Sequence, residues 1–276
     1  MSWMRLPEEY RTESSKFVIL PISYEEQPTF GSGARNGAAA IIKASEHLEY
    51  YDEQFDCEPF VHGIRELEEV KSLKEVEEAV RDVGKERFLI GLGGDHAVTT
   101  AIVKGFEALH DDFSVLILDA HSDFRDSWNG SQYNHACVAR RIVTKHKVAI
   151  IGVRSQDSDE AKTAEKNDAL RLVKSYEYSD QELKSILDFL GEKVYLSIDV
   201  DVFDPSFIRQ TGTPEPGGFS WERVIGLLAK LFAAKKVIGA DIVEFAPQGA
   251  NDHAEGYALA KLAYKLMVLA EKNNIS

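Results

Sequence analysis

The chain is poor in cysteine: Cys57 and Cys137 are its only two in 276 residues, and neither belongs to a Cys-x-x-Cys pair. Nothing therefore indicates a thiolate zinc site, and without an export signal a structural disulfide is not expected. It is also poor in positive charge. A formal net charge of −14 argues against a nucleic-acid partner, because phosphate backbones need a basic footprint. No apolar run is long enough to cross a bilayer, and the opening residues 1–7 lack the apolar core of a signal peptide, so the expectation is a cytoplasmic protein with no membrane association. Internal repeats, low-complexity tracts and Pro/Gly/Ser linkers are missing too, and one domain over residues 1–276 is the economical reading.

What remains is an ordinary globular composition, 44% hydrophobic and 28% charged. The acidity suits a small cationic substrate that an acidic surface would attract, or it simply keeps the protein in solution. Apolar runs with strand character recur at 17–22, 88–92, 114–118, 148–153, 194–198 and 237–243. Helical spacing is read at 38–51, 72–83, 99–109, 136–145, 160–173, 180–190, 221–233 and 252–271. Alternation of the two predicts an α/β fold: a mostly parallel central sheet covered by helices on both faces, with functional groups beyond the carboxyl ends of the strands. The irregular segment 21–37 is long enough to wall a cleft or to be a plain surface connection.

One stretch organises the chemistry. The apolar run Val115-Leu116-Ile117-Leu118 gives way to Asp119-Ala120-His121-Ser122-Asp123, with three potential ligands at alternate positions. In an extended segment those three side chains face the same way. The strand at 88–92 ends in Gly93-Gly94-Asp95-His96, and the strand at 194–198 ends in Asp199-Val200-Asp201. Any one of these matches is weak alone, since short motifs are often accidental. Together they bring His96, Asp119, His121, Asp123, Asp199 and Asp201 to one sheet edge, enough for two metal ions sharing bridging carboxylates. Carboxylates outnumber imidazoles and no thiolate takes part, which favours a hard divalent ion such as Mn²⁺. Two such ions make hydroxide accessible near neutral pH, so the expected reaction class is hydrolysis. The Gly91-Leu92-Gly93-Gly94 run is no nucleotide loop, because His96 stands where a dinucleotide fingerprint needs its third glycine. The glycines instead allow tight backbone packing, with Asp95 expected as a hydrogen-bond acceptor behind the ligands.

These stretches, with residues 197–205, Gly212-Thr213-Pro214-Glu215-Pro216-Gly217-Gly218, Asp241-Ile242-Val243-Glu244 and the loop at 28–44, resemble the ureohydrolases, the family of arginases and agmatinases. The resemblance covers most of the chain. It implies a three-layer α/β/α fold, a homo-oligomer that is commonly a trimer or hexamer, and two Mn²⁺ per subunit on the six residues named above. It also implies that His135 shuttles protons and that Glu244 holds the guanidinium of a small cationic guanidino substrate. A carboxylate suits that task, because it accepts two parallel hydrogen bonds from a planar guanidinium.

Within the family, the Gly-Thr-Pro-Glu-Pro-Gly-Gly stretch and the absence of an arginase-like carboxylate-gripping pattern at 124–134 favour agmatine, converted to putrescine and urea in polyamine biosynthesis. Ala136-Cys137 stands where most agmatinases carry Gly-Thr, which keeps aminopropylagmatine as an alternative, and Arg125 near the cleft keeps arginine and guanidinobutyrate. Arg125 is read as an ion-pair partner of a nearby acid such as Asp126, or as a receptor for a substrate carboxylate. Asp157 is the candidate for the substrate's distal amine. A metallophosphoesterase also uses Asp-x-His and Asn-His, but its Gly-Asp-x-x-Asp is not present between them. A non-catalytic relative would be expected to show a gap among these residues.

Overall fold

The computed structural model describes residues 2–249 and 253–273. Eight strands, β1 (Phe17–Pro21), β2 (Ile64–Glu66), β3 (Phe88–Leu92), β4 (Ser114–Leu118), β5 (Val148–Val153), β6 (Leu170–Lys174), β7 (Lys193–Asp199) and β8 (Lys236–Val243), form one sheet. Its order is β2-β1-β3-β8-β7-β4-β5-β6, and every pairing is parallel. β3 and β4 are buried at every residue, which explains why they read as unbroken apolar runs rather than as alternation.

Helices cover both faces. α1 (Gly37–Ser45), α6 (Asp180–Phe189), α7 (Trp221–Ala234) and α8 (His253–Asn273) set Ile41, Ile186, Leu228 and Leu266 against Leu116, Leu118 and Ile198 of the sheet. α2 (Leu73–Val83), α3 (Ala97–Glu107), α4 (Val138–Ile142) and α5 (Ser158–Ala164) set Val80, Ile102, Ile142 and Ala164 against Val115, Ile117 and Ile150. Successive residues of β4 thus serve opposite cores, and the result is a three-layer α/β/α sandwich. α2 shows the local logic. Ser72 caps it by accepting from the Glu75 amide, Glu75 reaches back to the Lys71 amide, and Val76, Val80 and Val83 make its buried stripe.

Several expected boundaries moved. The helix expected at 160–173 is two elements: α5 ends at Ala164, and β6 follows as an edge strand. Asn167 decides this by accepting the Ala169 amide in a local turn that competes with helix continuation. The helix expected at 38–51 stops at Ser45, whose hydroxyl donates to the Ile42 carbonyl and accepts from the Met4 amide. β2 is an additional strand, and its three residues are too few to carry a period. The helix expected at 136–145 begins as a 3₁₀ turn at His135–Cys137 before α4. The last helix was expected from position 252, which lies outside the described residues.

Candidate metal centre

The sheet order sets β3, β8, β7 and β4 side by side, although their numbers show that the chain visits them in two separate passes. Such a reversal opens a crevice beyond the carboxyl ends of the strands. β3 delivers His96, β8 delivers Glu244, β7 delivers Asp199 and then Asp201, and β4 delivers Asp119, His121 and Asp123.

All six expected metal ligands converge. His96 Nδ1 lies 3.2 Å from Asp119 Oδ2, 3.0 Å from Asp123 Oδ2 and 3.3 Å from Asp199 Oδ2. His121 Nδ1 lies 2.9 Å from Asp201 Oδ2 and 3.6 Å from Asp119 Oδ1. Two groupings can each take a cation, His96–Asp119–Asp199 and Asp119–His121–Asp201, and Asp119 belongs to both with a different oxygen toward each histidine. Spacings of about 3 Å are the edges of a coordination shell with bonds of about 2.1 Å.

The donor set fits a metal for a reason internal to the protein. His96 Nε2 stands 3.1 Å from the Ser197 hydroxyl, and that hydroxyl donates to Asp241 at 2.6 Å. Ser197 has one proton and spends it on Asp241, so the ring nitrogen must be the donor. Nδ1 is then left as a bare lone pair facing three carboxylates. Both His96 Nδ1 and Asp119 Oδ2 are buried without a hydrogen-bond partner, which only a cation among them resolves. A proton is the substitute. Burial works against charge on His121, yet the attraction of Asp201 and Asp119 outweighs it and pushes the imidazole up to about 12.

The mode of convergence differs from the expected one at a single residue. Asp119 and His121 extend from β4, but Asp123 has a φ of 45°, so a left-handed turn rather than continued extension brings its carboxylate back. Asp95 also departs from expectation. It accepts the amides of Glu26 at 2.7 Å and Ala97 at 3.1 Å, tying the 21–37 loop to α3 instead of orienting a ligand. The orienting acid is Asp241, which takes hydroxyl donors from Ser197, Thr99 and Tyr195. Serine and aspartate inside otherwise apolar strands were the available signal. The glycines behave as read: Gly93 has a φ of 82°, and a Cβ there would meet the Ala38 amide nitrogen at 2.6 Å.

A cleft of about 380 Å³ opens over the metal groupings. Glu25, Pro28, Thr29 and Gly31 line it, so the 21–37 loop is a cleft wall and not a bystander. Glu244, with a φ of 65°, sits in the wall with Oε1 accepting the His96 amide at 2.7 Å. His135 faces the same space, its Nε2 2.7 Å from the Thr29 hydroxyl. Burial and the positive charge of His96 and His121 lower its pKa to about 4, so it stands as a neutral imidazole. Asp157 caps α5, with Oδ1 accepting the amides of Asp159 and Glu160 and Oδ2 2.8 Å from Arg125. Arg125 does not pair with Asp126, which Arg141 holds at 2.8 Å; its partners are Asp157 and Glu160.

A sequence profile described as the Arginase family matches residues 15–269. The chain is 36% identical over 263 residues to the N(1)-aminopropylagmatine ureohydrolase of Thermus thermophilus, covering 91% of this chain and 89% of that one. It is 37% identical over 243 residues to the agmatinase of Pyrococcus horikoshii, covering 84% of each. Among solved structures, the agmatine ureohydrolase of Thermoplasma volcanium superposes with a TM-score of 0.79 at 29% identity, over 94% of this chain and 91% of that one. The proclavaminate amidino hydrolase of Streptomyces clavuligerus shares the fold, with a TM-score of 0.87 at 23% identity over 99% and 97% of the two chains.

Proposed function

The chain belongs to the arginase family, hydrolases of guanidino C–N bonds, and from that premise we propose that it is an agmatine ureohydrolase, releasing urea and putrescine in the cytoplasm for polyamine biosynthesis. The observation that carries the reading is the pair of ligand groupings sharing Asp119 at the floor of an acid-lined cleft. His96, Asp119, Asp123 and Asp199 would hold one divalent ion, and Asp119, His121 and Asp201 the other, with Mn²⁺ the ion that this hard, carboxylate-rich set favours. Two such ions supply Lewis acidity and a nucleophilic water at neutral pH.

The remaining steps fall to the protein's own groups. Glu244 keeps Oε1 on the His96 amide and offers Oε2 to the guanidinium, which fixes the reacting carbon over the ligand cluster. His135 is neutral, so its ring can collect the proton shed by water and pass it to the departing amine. Thr29 orients that ring from the opposite wall. Asp157 lies at the tail end of the cleft and meets the distal ammonium, with Glu25 and Glu215 making the cleft hostile to a carboxylate tail. The assembly is a homo-oligomer, trimer or hexamer.

The test is urea release by Mn²⁺-loaded protein on agmatine, arginine, guanidinobutyrate and aminopropylagmatine in parallel. Agmatine is expected to show the highest kcat/KM. Preference for a carboxylate substrate would overturn the assignment of the tail site, and phosphate release from aryl phosphates without urea from any guanidine would overturn the reaction class.

A further inference from the structure

The tail end of the cleft holds a feature that substrate hydrolysis does not require. Arg125 points its guanidinium between two carboxylates, Nη1 at 2.8 Å from Asp157 Oδ2 and Nη2 at 3.3 Å from Glu160 Oε2. The Trp128 ring lies over it, 4.4 Å from the guanidinium carbon to the ring centroid. Neither carboxylate is free to follow Arg125 if it moves. Asp157 is pinned by the Asp159 and Glu160 amides, and Glu160 by the Ser122 hydroxyl and the amides of Phe124 and Asp157. Trp128 is placed by the Trp128–Ser131 hairpin, whose central Asn129 and Gly130 have φ of 48° and 82°, as a tight two-residue turn demands. Two immobile carboxylates under an aromatic face make a cage for an organic cation, and the protein has filled it with its own.

Behind Arg125 lies a second cavity, of about 300 Å³. Arg125, Asp157 and Glu160 line both this cavity and the cleft above the metal groupings, so these three side chains stand between the two, and Arg125 is the one that no backbone amide pins. The further wall adds Asp126 and Asp159, which pair with Arg141 at 2.8 Å and Lys162 at 3.3 Å.

We propose that Arg125 sets the length of substrate the enzyme accepts: it closes the tail end of the cleft by occupying a cation cage, and without it the cleft and the cavity behind join into one channel for guanidines bearing a second amine. The proposal rests on the ureohydrolase reading and deepens it. With Arg125 in place, a guanidine whose chain ends in a single ammonium fits against the partition and finds Asp157. One extended by an aminoalkyl arm must compete with Arg125 for Asp157 and Glu160. An intramolecular competitor is always at high effective concentration, so it discriminates without any change in the metal centre.

The experiment compares Arg125→Ala and the uncharged, still polar Arg125→Gln with the full-length wild type, all Mn²⁺-loaded. The ratio of kcat/KM for aminopropylagmatine over agmatine should rise about tenfold in both variants, through KM rather than kcat. Calorimetric titration with spermidine and putrescine reads the cage without catalysis: spermidine should tighten about tenfold in the variants while putrescine changes little. A ratio that stays within about twofold of wild type, with unchanged spermidine affinity, overturns the proposal. So does loss of activity on arginine or guanidinobutyrate in the variants, which would make Arg125 a carboxylate receptor. If no guanidine is cleaved by the wild type, the functional reading fails, and the spermidine titration still decides whether Arg125 blocks a cation cage.

Discussion

The two ends of the cleft treat their acids in opposite ways. At the tail end, Asp157 and Glu160 face an arginine supplied by the chain, and nearly every oxygen has a donor. At the floor, Asp119, Asp123 and Asp199 crowd one histidine nitrogen, with no lysine or arginine among them and buried atoms left without partners. A third place makes the contrast sharper. Asp52, beneath α8, is also buried, and it is met by Lys265, equally buried, at 2.7 Å. This protein can neutralise an interior carboxylate when the role is structural. Where it does not, the missing cation must come from outside, and the unpaired charge is the mark of a binding site.

The largest effect expected from that contrast is at Asp119, the ligand shared by both groupings. Asp119→Asn should abolish stoichiometric Mn²⁺ binding and reduce kcat/KM by about 10³-fold or more, read by metal analysis and urea release. Its metal-free form should melt below metal-free wild type, because the change removes a carboxylate that attracts the His96 and His121 imidazoles. A variant that still held two ions would break the comparison.

Lys265→Met should do the reverse. Removing the lysine strands Asp52 in the core, and unfolding by urea should show a loss of about 3–5 kcal/mol with kcat per folded molecule unchanged. The double variant Asp52→Asn with Lys265→Met should recover most of that loss. If Lys265→Met cost almost nothing, Asp52 would not be the paired structural acid on which the contrast depends.

A smaller effect is expected behind His96. Ser197→Ala deletes the acceptor that leaves Nδ1 bare toward the carboxylates, and Mn²⁺ affinity should fall about 10- to 100-fold without loss of the fold. Unchanged affinity would mean that the ring needs no partner to choose its tautomer.

How much of this was legible in the sequence follows the same physics. Buried parallel strands read as apolar runs and end abruptly in ligands, so β3, β4 and β7 announced both the sheet and the metal residues. β2 and β6 did not, because a three-residue edge strand has no period and a half-exposed one looks like a helix flank. Ser197 and Asp241 were visible as polar residues in buried strands, but which acid meets which hydroxyl depends on strand order, and no local spacing encodes that order. Arg125 could be suspected from its place beside the cleft. Its partners could not, since Asp157 and Glu160 arrive from the cap and first turn of α5, three elements away from the sequence-adjacent Asp126.

The smallest expected effect concerns His135, whose ring bonds to the Thr29 hydroxyl rather than to an acid. Its ring is buried and repelled by the positive charge of His96 and His121, and its pKa falls to about 4 from an unfolded value of 6.5. Between those values the unfolded chain holds a proton that the folded chain does not, so folding stability rises with pH across the window. The neutral imidazole's contribution is therefore complete above pH 6.5 and is lost as pH falls through about 4. In metal-free protein, urea midpoints measured from pH 7 to pH 4 should decline for the wild type and decline less for His135→Asn. Parallel declines would mean that His135 titrates near its ordinary value and that the cleft floor carries no net positive field. With cations bound the repulsion keeps its sign, so the acid limb of kcat/KM should not carry His135 above about pH 5. A limb that moves when only His135 is replaced would place its proton on a different balance of charges from the one these side chains set.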